Sequence, residues 1–259
     1  MSEQHMLYEV KDKVAWLTIN REKQRNAISS EAVSLFLEYL DQAENDSDVN
    51  VVCVTGAGDR AFCSGADLSS AMKGDNEGAG QVFQKYADLL KRLAGFTKPT
   101  VAKVNGTCIA GGTGFMLACD IVVARDDAKF GTPEVNVGLF PMMIGALIFR
   151  NVLRKKAMEM VLLGEKLSAQ QALEMGMITR AVSSDRLDTE VDEILNVLAA
   201  KSPIGMKIGK EAFFAMDDMP LEKAVDFLSE KLLEIASTQD AKEGITAFLE
   251  KRQPEFKGK

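Results

Sequence analysis

At 259 residues, with 46% hydrophobic and 27% charged side chains, the chain has room for one large globular domain of ordinary composition. Its 31 basic against 38 acidic residues leave a net charge of −7, which argues against a general nucleic-acid or anionic-membrane surface. A single histidine, His5, disfavours a Ser-His-Asp triad or a histidine-rich metal centre, and Cys53, Cys63, Cys108 and Cys119 show neither CxxC nor another metal-ligand spacing.

The chain opens on two predicted strands, MLYEV and VAWLTIN. Glu3, Glu9 and Asp12 interrupt any leader-like apolar stretch, and no run reaches the roughly 18–20 apolar residues that span a bilayer. A cytoplasmic protein with reduced, buried thiols is therefore expected. A helix is predicted from about Ser30, with Val33, Phe36, Leu37 and Leu40 on one face. The nearly continuous apolar run VNVVCVTG (49–56) reads as a strand covered on both sheet faces. Residues 69–81 carry three glycines and no periodicity, and read as a mobile loop. The stripe Val82, Phe83, Tyr86, Leu89, Leu90 and Leu93 predicts the next helix. PTVAKVNG and DIVVAR are further strands, and FGTPEVNVGLFP a turn.

Beyond residue 142 helices dominate. Ser168 and Gln171 form a capping-box pair, Gly176 ends that helix, and MITRAV is one more short strand. The last helices are broken at Pro203, Pro220 and Ser237. Along 220–236, Leu221, Ala224, Val225, Leu228, Leu232 and Ile235 form one stripe, while Phe227 and Leu233 fall off it, which points to a partner subunit. Strands and helices alternate before a helical tail, an α/β pattern without linker or repeat.

Chemistry concentrates in two glycine-bearing turns, AFCSGADL (61–68) and CIAGGTGF (108–115). From Gly106 the stretch GTCIAGGT mimics P-loop spacing, but Gly112 stands where the phosphate-gripping lysine is required. What remains is a pair of turns that each follow a strand and offer backbone N–H groups. Converging on one oxygen, two such donors would stabilise a carbonyl as it becomes an enolate. Pro133-Glu134 alone also suits the plain opening of a helical turn.

These two turns, together with NREKQRNAIS (20–29), VNGTCIAGGTGFMLACDIVVA, AKFGTPEVNVGLFP and DAKEGITAFLEKRQPEFKG, resemble in order the enoyl-CoA hydratase/isomerase (crotonase) family. The resemblance implies a ββα spiral core over 1–200, a C-terminal helical trimerisation region over 201–259, and a homotrimer or dimer of trimers. It implies an acyl-CoA thioester as substrate and no metal or separate cofactor, coenzyme A being part of the substrate. It puts the oxyanion hole at the N–H groups of Ala66 and Gly111, with Gly112 permitting close approach of the backbone. Family hydratases carry two glutamates; the second falls on Glu134, the first on Gly114. One glutamate suits a Δ3,Δ2-enoyl-CoA isomerase, so a proton shuttle that converts 3-enoyl to 2-enoyl thioester is the leading expectation.

Met142 stands where dienoyl-CoA isomerases and 4-chlorobenzoyl-CoA dehalogenases resembling this chain place an aspartate, which disfavours both activities. With Phe115, Met116, Phe140 and Met143 it reads as lining for an acyl pocket, a place in the core suiting Met116 equally well, and Gly114 suggests a void for a bulkier acyl group. For coenzyme A the resemblance points to Arg25, Ala27, Ser64, Asp67 and Leu68, with Arg21 or Arg25 meeting phosphates. The alternatives are a hydratase in which Asp75 or Glu77 replaces the missing glutamate, a lyase or decarboxylase working through the same enolate, and a non-catalytic acyl-CoA-binding subunit. An RNA-binding role, known for one branch of the family, fits the acidic charge poorly.

Overall fold

The computed structural model describes residues 4–67 and 76–259, apart from the side chains of 76–79. Among these residues the order begins β1 (Met6–Lys11), β2 (Val14–Ile19), α1 (Ser30–Asn45), β3 (Val51–Gly56), β4 (Ala61–Cys63), α2 (Asn76–Ala94), β5 (Thr100–Val104) and β6 (Thr107–Ile109). It continues with α3 (Gly111–Leu117), β7 (Ile121–Arg125), β8 (Lys129–Gly131), α4 (Met142–Asn151), α5 (Arg154–Leu163), β9 (Leu167–Ser168), α6 (Ala169–Glu174), β10 (Arg180–Val182) and α7 (Leu187–Ala199). The tail is α8 (Pro203–Met216), α9 (Leu221–Ser237) and α10 (Gln239–Glu250).

The larger sheet runs β1-β2-β3-β5-β7-β10 and is parallel except for the β1–β2 hairpin. Period-2 alternation sends Leu17, Val52, Val54, Ala102 and Val122 to one core with Phe36, Leu40 and Leu89, while Val51, Cys53, Val101 and Val123 meet Leu187, Val191 and Leu195 of α7 on the other face. Burial on both faces is why VNVVCVTG carries no polar alternation. All four cysteines are free thiols in these interiors.

The smaller sheet, β4-β6-β8-β9, sets the site. Its first three strands are parallel neighbours, with Cys63 opposite Cys108 and Ile109 opposite Gly131. Their C-terminal ends therefore open at one edge.

Part of the predicted 69–81 loop is helical, because α2 begins at Asn76. Once the buried Tyr86, Leu89, Leu90 and Leu93 anchor that helix, each further turn adds hydrogen bonds at little nucleation cost, even through glycines. Residues 69–75 of that reading, and with them Asp75, lie outside the described residues. Ser168 makes its capping box with Gln171, and Gly176 takes a left-handed φ of +80° just past α6.

In the tail, the α9 stripe is largely uncovered within one chain: Leu221 is 79% exposed, Val225 57% and Leu232 65%. Phe213 and Phe214 of α8 and Phe248 of α10 are exposed as well. The chain end is clasped by Asp240 of α10, which accepts from Ser202 Oγ (2.7 Å), Lys257 N–H (2.8 Å) and Gly258 N–H (3.0 Å). Asp240 is only 2% exposed. Burial pushes its carboxyl up, but these hydrogen bonds outweigh that and hold it below the usual carboxylate range.

Candidate active site

Three adjacent strands carry the three candidate groups, each within a few residues of its strand end. Past β4 the chain reaches Ala66; past β6, Gly111; past β8, Glu134. All three line one cavity of about 200 Å³. Its walls are mostly apolar: Ile28 and Val33 from around α1, Val82, Phe83 and Tyr86 from α2, and Phe140, Pro141, Met142, Met143 and Ile144 at the start of α4.

Ala66 is aimed by a single parallel bridge. Ile28 N–H donates to Gly65 C=O (2.8 Å) and Asp67 N–H donates to Ile28 C=O (3.0 Å). Successive extended residues alternate, so the Ala66 N–H points to the side away from Ile28. Gly65 takes φ +95°, and a β-carbon there would lie 2.7 Å from the Ala110 Cβ, so the two turns touch at a glycine.

Gly111 is the first residue of α3, whose N–H has no partner within the helix. Ala110 before it takes φ 51°, ψ −131°, a region that a non-glycine residue occupies only under constraint. The constraint is visible: Ala110 N–H donates to Gly131 C=O and Ala110 C=O accepts from Thr113 N–H, both at 2.9 Å.

Glu134 lies in the 3-10 turn Pro133–Val137, with Pro133 preset at its start. One carboxylate oxygen, Oε2, is buried without any hydrogen-bond partner. Burial pushes its carboxyl up from the ordinary glutamate value, only partly offset by its own backbone N–H. That is the electrostatic setting of a carboxylate poised to take a proton.

The other carboxylate lining the cavity, Asp67, is ion-paired with Arg21 at 2.8 Å, both side chains being largely buried. Arg21 is thereby committed to the protein, which corrects its reading as a phosphate contact. Arg25 is exposed in a left-handed conformation (φ 53°). Its carbonyl accepts from Ser64 N–H at 3.2 Å. Arg25, Ala27 and Ser64 thus flank the bridge beside the cavity rather than line it, and Leu68 lies outside the described residues.

The two further glycines of α3 do not line the cavity. A β-carbon at Gly112 would meet the carbonyl of Cys63, so this glycine admits strand β4 to the helix. At Gly114 the expected void is absent. Ile144 Cγ2 occupies it, and an added β-carbon would also come within 3.1 Å of Leu90 and 3.2 Å of the Tyr86 hydroxyl. Phe115 and Met116 belong to the core and do not line the cavity, both at 0% exposure, whereas Phe140, Met142 and Met143 are among its lining residues. The side chain of Glu77 is among those not described.

Sequence reasoning missed three contributors. Asn26, fully buried, donates to Ala57 C=O (2.9 Å) and Ala61 C=O (2.6 Å) and accepts from Arg21 N–H (3.0 Å), so it binds the early loop to β4. A polar residue in a turn gives no sign of this. Ile144 and Tyr86, read as pattern members or not at all, close the space beside α3. Among the described residues no group of three or more His, Cys, Asp or Glu is placed to hold a metal, and no helix is long and apolar enough to cross a membrane.

The enoyl-CoA hydratase/isomerase family model matches residues 9–259. A short-chain-enoyl-CoA hydratase of Clostridium acetobutylicum is 34% identical, over 97% of this chain and 97% of that protein. A 2,3-dehydroadipyl-CoA hydratase of Escherichia coli is also 34% identical, over 95% of this chain and 96% of its own length. Among solved structures, an enoyl-CoA hydratase from Bacillus anthracis superposes with a TM-score of 0.95 at 29% identity, covering 99% of this chain and all of that one (100%).

Proposed function

The chain belongs to the enoyl-CoA hydratase/isomerase (crotonase) family and has its fold, and from that premise we propose that it shifts the double bond of an enoyl-CoA from C3 to C2 with Glu134 as its only base. The observation that carries this reading is the contrast between two positions. Glu134 lines the cavity and keeps one carboxylate oxygen buried without a partner, whereas the neighbourhood of Gly114 is closed by Ile144, Leu90 and Tyr86.

In this reading the thioester oxygen receives the N–H groups of Ala66 and Gly111. Glu134 removes a proton from C2, and the C2–H bonding electrons move into the thioester as a dienolate. The same carboxyl then returns the proton to C4, leaving the double bond between C2 and C3. No atom is gained or lost, and no metal or separate cofactor enters. Fixed donors meet charge that develops only during reaction, and loss of one typically costs about 10²–10³ in rate. Coenzyme A runs over the flank formed by Arg25, Ala27, Ser64 and Asp67. The exposed apolar faces of α8, α9 and α10 support a helical oligomerisation region over 201–259, against a core over 1–200, and a trimer or dimer of trimers.

The second reading is a hydratase, which the names of the relatives favour: Glu134 would activate water for addition to a 2-enoyl thioester. Incubating 2-enoyl- and 3-enoyl-CoA separately in heavy-oxygen water, with products resolved by mass, decides between them. Conversion of the 3-enoyl substrate without oxygen uptake supports the isomerase. Rapid, Glu134-dependent labelling of a 3-hydroxyacyl product establishes the hydratase. Binding without turnover of either would indicate an acyl-CoA-binding subunit.

A further inference from the structure

Tyr86 belongs by pattern to the apolar stripe of α2, yet its hydroxyl is set against the first turn of α3. The O–H donates to Gly111 C=O at 2.7 Å, and the ring packs on Phe115 with centroids 5.3 Å apart. The residue is only 7% exposed. A β-carbon at Gly111 would lie 2.8 Å from the phenolic oxygen, and one at Gly114 3.2 Å away, so both glycines make room for this group. Burial holds the phenol well above its ordinary value, which keeps the O–H a donor.

The turn it touches needs an external restraint. Gly111 and Gly112 have wide backbone freedom, and Ala110 is in a conformation that persists only where its surroundings impose it. A donor for a developing oxyanion must nevertheless stay within about 0.5 Å of its productive position. Two peptide planes meet at Gly111. Thr113 N–H, bonded to Ala110 C=O, fixes the plane that carries the Gly111 N–H. Tyr86 fixes the plane that follows.

Resting on the oxyanion reading above, we infer that Tyr86 is a positioning residue that ties down Gly111 through its carbonyl and so keeps the Gly111 N–H aimed at the thioester oxygen. It acts through Gly111 and exchanges no proton with the substrate.

The test compares wild type, Tyr86→Phe and Glu134→Gln as full-length proteins, phenylalanine keeping the ring packing. The readouts are kcat and KM for enoyl-CoA, and the pH midpoint at which a bound 3-oxoacyl-CoA develops its enolate absorbance. Tyr86→Phe should lower kcat roughly tenfold with KM within about twofold, and raise the enolate midpoint by about one pH unit, the equivalent tenfold loss of stabilisation. Glu134→Gln should abolish turnover without raising that midpoint. A Tyr86→Phe protein with parental kcat and midpoint overturns the inference, as does one altered only in melting temperature. Wild-type protein that neither converts an enoyl-CoA nor shows the enolate overturns the acyl-CoA reading itself, and this inference with it.

Discussion

Ile144 fills the space that a side chain at Gly114 would need: its Cγ2 lies well inside contact distance of any β-carbon placed there. The two residues come from different helices, α3 and α4, and both are buried.

Gly114→Ala should therefore destabilise the fold by about 1–2 kcal/mol, overpacking being only partly offset by the better helix propensity of alanine. Combining it with Ile144→Ala should cost less than the sum of the two single changes by at least about 0.5 kcal/mol. Urea unfolding of the four proteins measures the coupling; strict additivity would show that the two positions do not compete for space.

Glu134→Gln should cost at least about 10³ in turnover while raising, not lowering, the melting temperature at neutral pH by about 1–3 °C. The sign follows from the raised carboxyl. Such a group favours the folded state below its unfolded value near 4.3 and loses that contribution as pH rises through the folded value. The stability gap between the two proteins should close in acid. In the parent, the acidic limb of kcat/KM should lie above the ordinary glutamate range. A limb at or below that range would remove Glu134 as the titrating base.

Ala110→Gly should stabilise the protein by about 0.5–1 kcal/mol, because relief of a positive-φ alanine exceeds the entropy that glycine loses on folding. Thermal unfolding reads this directly. A lower melting temperature would mean that the alanine methyl, packed beside Gly65, contributes more than its backbone costs.

Asp240→Asn should cost about 1.5–3 kcal/mol, since a buried carboxylate accepting from Ser202, Lys257 and Gly258 loses its charge-assisted bonds. Its depressed carboxyl contributes stability fully above the unfolded value near 3.9 and loses it as pH falls through the lower folded value. Amide exchange at Lys257 and Gly258 should accelerate in the variant. Unchanged exchange there would show that the clasp is not what holds the chain end.

Leu232→Lys, on the exposed α9 stripe, should lower the oligomeric order seen by sedimentation if that face is a subunit contact. A parent protein that sediments as a stable monomer would remove the proposed interface.

The architecture was legible in the sequence where one local rule sufficed. Val51 to Gly56 announced a strand buried on both sides, and Ser168 with Gln171 announced a helix start. Glycine at 65 and at 111 marked the two turns whose convergence the parallel pairing of β4 and β6 produces. What escaped were relations between distant segments. Whether Gly114 borders a void depends on where Ile144 arrives, and no spacing rule links residues of two helices. The ion pair of Arg21 with Asp67 joins two loops that no spacing rule connects. Tyr86 was hidden by its own regularity, since a phenol on a leucine stripe satisfies the helical pattern whether or not its hydroxyl has a task.

The placement of Ala66, Gly111 and Glu134 past three neighbouring parallel strands makes the site separable. On the proposed reading, the grip on the thioester and the handling of protons would arise from different loops of one sheet edge, so each could be replaced without rebuilding the other. Exchanging the short segment after β8 would install new chemistry on an unchanged anchorage, and a designer wishing to redirect this scaffold would begin there.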